Sequence, residues 1–387
     1  MTFQKSKLLF ISPFFFPEKI STGKWNTVLV KTLSEDFDVT VVCLHPHYPE
    51  WVVSPSADLM PNVVIHRFGK FLRFPKRSIL RRLILELFFS LAVFRFHMAN
   101  RSRFDTVIAI YPPCLFSAGI RLFRTNRVIG IVHDLMGVYA DLDASKSMIS
   151  SVIQHLESRA FRTCDKLIFL SQEMKEKCFA IYSGLTDDYD IAYPFLTIKK
   201  FENKGDLESF FEDKKNNIVY SGALGEKQSP IQLLEYLENV AKSIPSVNAL
   251  VFSAGANFES LKKSGNYPHV QFFPLVDESL LPELLLRSDI QVIPQAAGTS
   301  QGSLPSKLPN ILASGTKVLV ITDAGSEIEQ LVFSVSGCRV SNAWETDALL
   351  QLTRELLKEG ATPPESRKEI LELFTLQKLI GKLGIHK

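Results

Sequence analysis

The stretch Ile290–Ile321, IQVIPQAAGTSQGSLPSKLPNILASGTKVLVI, restricts the folds open to this chain more than any other. It reads as a strand over Ile290–Ile293, a loop, a short helix, a glycine stop and a second strand over Lys317–Ile321. Small and polar residues fill the loop Gln295–Ser303, where Gly298 and Gly302 loosen the backbone. The spacing predicts Ser306 as N-cap, because Pro309 then falls in the first turn, where its missing N–H costs no intrahelical bond. Leu308, Ile311 and Leu312 form the buried face, and Gly315 stands where a C′ glycine ends the helix. Free N–H groups at such a helix start attract anions, and Lys307 adds a full charge. The stretch therefore reads as a diphosphate site; a βαβ unit with no ligand carries the same pattern.

At 387 residues the chain is too long for one ordinary core and suits two sizeable α/β domains. Apolar residues make up 46%, enough for large cores. A net charge of only +3 argues against a general nucleic-acid binder. Cys43, Cys114, Cys164, Cys178 and Cys338 show no metal-ligand spacing and fit reduced thiols in the cytosol. The apolar run Leu8–Ile11 is too short for a signal peptide, and no uncharged run has the length of a membrane span.

Strands are expected at Leu8–Ile11, Phe37–Leu44, Val63–Phe68, Thr106–Tyr111, Arg127–Val132 and Lys166–Leu170, with helices between them. The loop after the first strand holds Gly23 but no GxGxxG fingerprint. His133 and Asp134 close the Arg127–Val132 strand at the carboxyl edge, where chemistry gathers in doubly wound sheets. The polar stretch Lys199–Asn217 reads as a hinge. A second α/β series follows, with strands at Asn217–Tyr220, Ala249–Ser253 and Val270–Phe273 and a glycine loop SGALGEKQSP. Ser326 and Glu329 are spaced as a capping box, and Ser366–Leu383 is helical in pattern. The expected domains are 1–195, with helix 366–387 packing back on it, and 196–365. They would face an interdomain cleft.

Residues 70–103 differ from the rest. Nine basic residues, from Lys70 to Arg103, stand against Glu86 alone, and Phe71, Phe74, Leu83, Leu87, Phe88 and Phe94 are interleaved with them. A basic, aromatic helix too short to span implies in-plane contact with an anionic membrane surface; a core helix with solvated ends is the alternative.

Three segments carry a resemblance: GALGEKQ at Gly222–Gln228, LPSKLPNILASG at Leu304–Gly315, and VHDL at Val132–Leu135. With them the chain resembles, over essentially its whole length, the GT-B glycosyltransferases, and especially the family 4 enzymes of bacterial exopolysaccharide, capsule and O-antigen assembly. The resemblance implies an α/β fold of two Rossmann-like doubly wound domains. It implies a retaining transferase that moves a sugar from a UDP- or GDP-sugar to a lipid-linked or growing glycan acceptor. No cofactor or metal is implied, and the location would be cytoplasmic, peripheral to the inner face of the cell membrane. It places Lys227, with Gly222 and Gly225, on the donor diphosphate, where the customary loop arginine is Ala223. It places His133 against the transferred sugar, Gly23 near the phosphate and acceptor, and the backbone of Leu275 and Val276 at the nucleobase.

The family's glutamate pair falls on Gly302 and Asn310, neither acidic; Asn310 could still bond the ribose, with weaker uncharged bonds. Gln295, Ser306 and Lys307 complete the donor-binding set. Lys227, Lys307 and the helix start would stabilise charge on the leaving diphosphate. His133 would orient the sugar and Asp134 fix its ring or meet the acceptor, although a buried, satisfied histidine and a helix N-cap are the competing readings. Glu18 is read as an acceptor contact or an exposed carboxylate. Two other functions share the architecture: a nucleotide-sugar 2-epimerase, and a catalytically silent scaffold of a polysaccharide complex.

Overall fold

A computed structural model describes residues 5–385 apart from 19, 49, 58, 101–103, 124, 142–146, 212–215 and 303. The chain divides into two compact units, Met1–Tyr193 with Leu376–Lys387, and Pro194–Thr375. Each is a parallel sheet flanked by helices, as strands buried on both faces require.

Unit 1 opens with β1 (Lys7–Ile11), α1 (Ser21–Asp36), β2 (Asp38–Leu44), β3 (Val63–Phe68) and α2 (Ser78–Ala99). It continues through β4 (Phe104–Tyr111), β5 (Thr125–Val132), α3 (Met136–Asp141) and α4 (Ser147–Arg162). β6 (Lys166–Phe169), α5 (Gln172–Ile181) and β7 (Tyr189–Ile191) complete the sheet, in the order β3-β2-β1-β4-β5-β6-β7. Between β4 and β5 the chain forms a 3-10 segment, Leu115–Leu122.

Unit 2 contains β8 (Asn216–Ser221), α6 (Pro230–Ser243), β9 (Val247–Ser253), α7 (Ala256–Ser264) and β10 (Val270–Pro274). After α8 (Leu281–Leu286) come β11 (Ile290–Pro294), α9 (Leu308–Ala313), β12 (Lys317–Ile321), α10 (Glu327–Val332) and β13 (Cys338–Ser341). α11 (Thr346–Lys358) and α12 (Lys368–Leu371) close it. The order β10-β9-β8-β11-β12-β13 reverses direction between β8 and β11, and ligands of such sheets bind beyond the strand carboxyl ends at that reversal.

Two expectations change. The stretch 199–217 is no free hinge over its described residues. The buried carboxylate of Glu283 accepts from the N–H groups of Lys204, Asp206 and Leu207, and Leu207 is buried with Phe210 and Phe211 packed around its cluster. A few apolar anchors among many charges hold it to unit 2. The continuous helix expected over 366–383 is also broken. α12 ends at Leu371, Phe374 turns into the core with its carbonyl taken by Leu196 N–H (3.0 Å), and α13 (Leu376–Leu383) starts afresh in unit 1. There the Lys382 amine meets the Ile191 carbonyl and Arg127 Nη1 donates to Gly384 O at 2.9 Å.

Ser326 accepts from Glu329 N–H, but the Glu329 carboxylate reaches Gly325 N–H, so the capping box is displaced by one residue on its return arm. All five cysteines are buried free thiols. Among the described residues no helix is long and apolar enough to cross a membrane.

Candidate functional site

In unit 2 the loops that leave β8 and β11 are knitted together at the reversal of strand order. Gly222 has φ +138, a conformation that only glycine adopts easily, and lets the chain turn sharply off β8. Gly225 and Gln228 then exchange bonds: Gly225 N–H donates to Gln228 Oε1 (2.9 Å) and Gln228 N–H to Gly225 O (3.1 Å). This closes the turn Glu226–Gln228, which carries Lys227, and the Lys227 carbonyl accepts from Ala296 N–H at 2.8 Å in the loop after β11.

Lys307 runs back under these loops. Its Nζ donates to Ser221 O (3.3 Å) at the end of β8 and to Val292 O (3.5 Å) of β11, and lies 4.1 Å from the centroid of the Tyr220 ring. A Cβ added to Gly222 would sit 3.9 Å from it. The amine therefore bridges the two strands that flank the reversal. Carbonyls and a ring face solvate it poorly, and desolvation lowers its pKa from 10.5 to about 7. The residue keeps some exposed surface, so it is the amine end that is enclosed.

Ser306 does not cap α9. A turn in which Leu308 N–H donates to Pro305 O (3.1 Å) leads in, Lys307 already has helical angles at the cap position, and Ser306 is exposed. α9 is only six residues long, so charge at this end rests on Lys307 rather than on a helix dipole. Pro309 does fall in the first turn, and Gly315, at φ +79, follows the last.

Asn310 and Gln295 both bond within the protein. Asn310 Oδ1 accepts from Thr197 N–H (3.0 Å) and Ile198 N–H (3.2 Å), and its Nδ2 donates to Thr197 Oγ1 (3.0 Å). Its carboxamide thus holds the entry of the chain into unit 2. Gln295 is buried, and its Oε1 accepts from Thr322 Oγ1 (2.7 Å). Leu275 and Val276 follow β10 at its carboxyl end; Leu275 is exposed, while Val276 packs on the Leu207 cluster.

In unit 1, His133 leaves β5 with its N–H donated to Tyr111 O (2.9 Å). The Trp25 ring meets the imidazole edge-on, centroids 4.6 Å apart at 84°. Burial lowers the His133 pKa to about 4, against an opposing influence from Asp134, and Nε2 is enclosed without a hydrogen-bond partner. At neutral pH this is an uncharged imidazole, fit to orient a hydroxyl and unfit to supply positive charge. Asp134 is half-buried beside it, while the first N–H groups of α3 go to Glu157.

Gly23 lies in the first turn of α1, where an added Cβ would come within 2.8 Å of Glu18 Cβ. Its missing side chain makes room for Glu18. Glu18 is itself buried, accepting from His47 N–H (3.1 Å) and Tyr48 N–H (2.8 Å), so it is not an exposed carboxylate.

Comparison with known proteins agrees with this geometry. The family described as "Glycosyl transferases group 1" matches residues 204–372. The colanic acid biosynthesis glycosyl transferase WcaI of Escherichia coli (strain K12) is 26% identical over 359 residues, covering 86% of this chain and 88% of that protein. The chain is a glycosyltransferase with a group 1 domain over residues 204–372. Solved structures similar to this glycosyltransferase include sucrose-phosphate synthase from Thermosynechococcus elongatus, at TM-score 0.76 and 14% identity, with 98% of each chain covered. WaaG, a glycosyltransferase involved in lipopolysaccharide biosynthesis, aligns at 0.68 and 13%, covering 97% of this chain and 99% of its own. Anabaena HepE in complex with UDP and glucose aligns at 0.67 and 13%, covering 98% and 100%. These likenesses establish the GT-B fold.

Several residues that shape the site of this glycosyltransferase escaped sequence reasoning. Asp323 accepts from Gly298 N–H (2.9 Å) and Ser300 N–H (3.4 Å), folding the loop after β11 from the end of β12. Tyr220, under the Lys307 amine, read as strand filler. A lone aspartate after a strand and a tyrosine within one carry no spacing signal; only their partners distinguish them.

Proposed function

We propose that this glycosyltransferase takes its sugar from a UDP- or GDP-sugar and transfers it, with retention, to a lipid-linked or growing glycan in exopolysaccharide synthesis. One observation carries the donor reading: the Lys307 amine bridges β8 and β11 at the strand-order reversal, directly beneath the loop that bears Lys227. A diphosphate there would supply an anion to this enclosed amine, which has no carboxylate partner among the described residues. As the glycosidic bond breaks, negative charge grows on the leaving diphosphate, and Lys227 and Lys307 are cations placed to stabilise it without a metal. His133, neutral, is the unit 1 residue assigned to the sugar, and the leaving phosphate is assigned the acceptor proton. Uridine is the favoured base, since HepE is described with UDP-glucose, and the exopolysaccharide assignment follows WcaI. Lys227→Ala is expected to lower kcat/KM for the sugar nucleotide by about 10- to 100-fold, roughly half to two-thirds of the usual effect of an oxyanion donor in energy. Turnover unchanged in that variant, measured as release of nucleoside diphosphate, would remove Lys227 from the site.

The acceptor side of the proposal rests on α2. Its inner face packs Leu85, Phe89, Val93 and Phe96 into unit 1. Its outer face leaves Leu80, Leu83, Leu87, Leu91, Phe94 and Met98 between 43 and 61% exposed, at spacings of three and four residues. Glu86, the sole acid of the helix, is turned inward and accepts from Cys114 and Leu115 N–H, both at 2.9 Å. The exposed charge at this helix is thus positive, carried by Arg95 and, just before the helix, by Lys70, Arg73, Lys76 and Arg77, with Phe71 88% exposed among them. Like charges disfavour a second copy of α2 as the occupant, whereas an anionic lipid surface satisfies both stripe and charge. Vesicles containing phosphatidylglycerol should float the protein at low salt, and phosphatidylcholine alone should not. Leu87→Glu with Leu91→Glu, both at exposed positions, should abolish flotation. Persistence of binding in that double variant would overturn the membrane reading.

A further inference from the structure

Glu157, on α4, is a carboxylate at 1% exposure that accepts three donors and touches no cation at hydrogen-bond distance among the described residues. Oε1 takes Met136 N–H at 2.6 Å; Oε2 takes Gly137 N–H at 2.9 Å and the Tyr182 hydroxyl at 2.5 Å. The two amides open α3, three and four residues after His133. An isolated buried carboxylate is costly, and apolar residues of similar volume would serve packing better. Its three donors define what it is suited to: fixing, in direction as well as distance, the turn by which the chain leaves β5.

Gly137 fits the same device. An added Cβ there would overlap the Tyr182 hydroxyl and come within 2.9 Å of Glu157 Oε2, so the backbone is pressed against the clamp. On the other side, His133 N–H is tied to Tyr111 O and the imidazole is braced by the Trp25 edge. Leu135, between the two anchors, is fully buried. The segment 133–137 is therefore held at both ends, and His133 has little freedom except through the far anchor.

We infer that Glu157, with Tyr182, is a positioning residue that sets the orientation of His133 by clamping the first amides of α3. The inference rests on the assignment of His133 to the sugar, and its test keeps the two apart. A carboxamide offers an NH2 where the clamp needs an acceptor, so Glu157→Gln sets a donor against at least one of the N–H groups while changing volume little. Tyr182→Phe removes one donor and leaves both amides satisfied.

The readout is the His133 imidazole in the full chain labelled with 15N-histidine, its signals identified by their loss in His133→Gln. In wild type a single tautomer is expected. In Glu157→Gln the ring nitrogen shifts should move toward the average of two tautomers, with a smaller displacement in Tyr182→Phe. Should Glu157→Gln fail to fold, Tyr182→Phe carries the test. His133 signals unchanged in the folded variants would overturn the positioning role, even if thermal stability fell. UDP-glucose turnover separates the underlying assignment: His133→Ala without effect on it would count against His133, whatever the spectra show. With His133 essential, Glu157→Gln should cost about tenfold in kcat in the wild-type background and less than about twofold in the His133→Ala background.

Discussion

Lys307→Met is expected to lower turnover of the sugar nucleotide by about 100- to 1,000-fold, the range seen when one preorganised donor to a developing anion is lost. Methionine, one atom shorter, keeps an unbranched apolar stem that can pack toward the Tyr220 ring, so the fold should survive and the loss should lie in donor binding and transfer. The same residue gives the wild-type enzyme a pH signature. With its pKa near 7 in the free protein, Lys307 is largely neutral at pH 8 and must take up a proton to meet a diphosphate. Above about pH 7, donor affinity should fall roughly tenfold per pH unit until the pKa of the bound state is reached. Calorimetry in buffers of different ionisation enthalpy should show uptake of nearly one proton per nucleotide at pH 8, and none attributable to this group in Lys307→Met.

The sign for stability runs the other way from an ordinary ion pair. Between about pH 7 and the unfolded value of 10.5, the unfolded chain holds a proton that the folded chain lacks. Folding stability from this group therefore rises with pH across that window. Below it the burial penalty is constant and complete. A nucleotide that stabilised the protein equally at pH 6.5 and pH 8.5 would contradict the assignment.

Arg367→Ala should destabilise unit 2 by about 3–5 kcal/mol, as removal of a buried hydrogen-bonded charge does. The guanidinium is 1% exposed and has no carboxylate at contact among the described residues. It donates instead to three carbonyls: Ser336 O (3.0 Å), Leu312 O (3.2 Å) and Thr316 O (2.8 Å). Leu312 lies in the last turn of α9, where a cation is favoured, and Thr316 leads into β12. Truncation would take the guanidinium donor from Ser336 O and Thr316 O, leave Leu312 O with only the helix-end amides, and open a cavity beneath Gly337, whose absent Cβ would otherwise lie 2.7 Å from Nη2. Lysine in its place keeps the charge but not the fork, and should recover less than half of the loss. Urea denaturation followed by tryptophan fluorescence and by circular dichroism would measure it, and a change below about 1 kcal/mol would show that water replaces the guanidinium. The consequence reaches the site, because α9 sets where Lys307 begins.

Much of this was legible in the residues. Apolar runs such as Val318–Ile321, with β-branched side chains and no alternation, announce strands buried on both faces, and the glycines and prolines between them mark the helix ends. Lys307 and Lys227 could be picked out as cations in loops at strand ends. The helix expected across 366–383 failed for a reason periodicity does not contain. Phe374 suits either a helix face or a core wedge, and the bond from Leu196 decides for the wedge. Asn310 shows the same limit: its partners, Thr197 and Ile198, stand more than a hundred positions away in sequence.

By itself the sequence determined the alternation of strand and helix, the parallel sheets it compels, and the chemical types present at the strand ends, because these depend on propensity and on spacing along the chain. Tertiary structure alone decided which of those groups face one another. It turned the Lys307 amine over the Tyr220 ring, set Glu18 against Gly23, and gave the amides after His133 to Glu157. The physical reason is that a hydrogen bond or a desolvated charge belongs to a pair, and the second member of each pair arrives from a distant part of the chain.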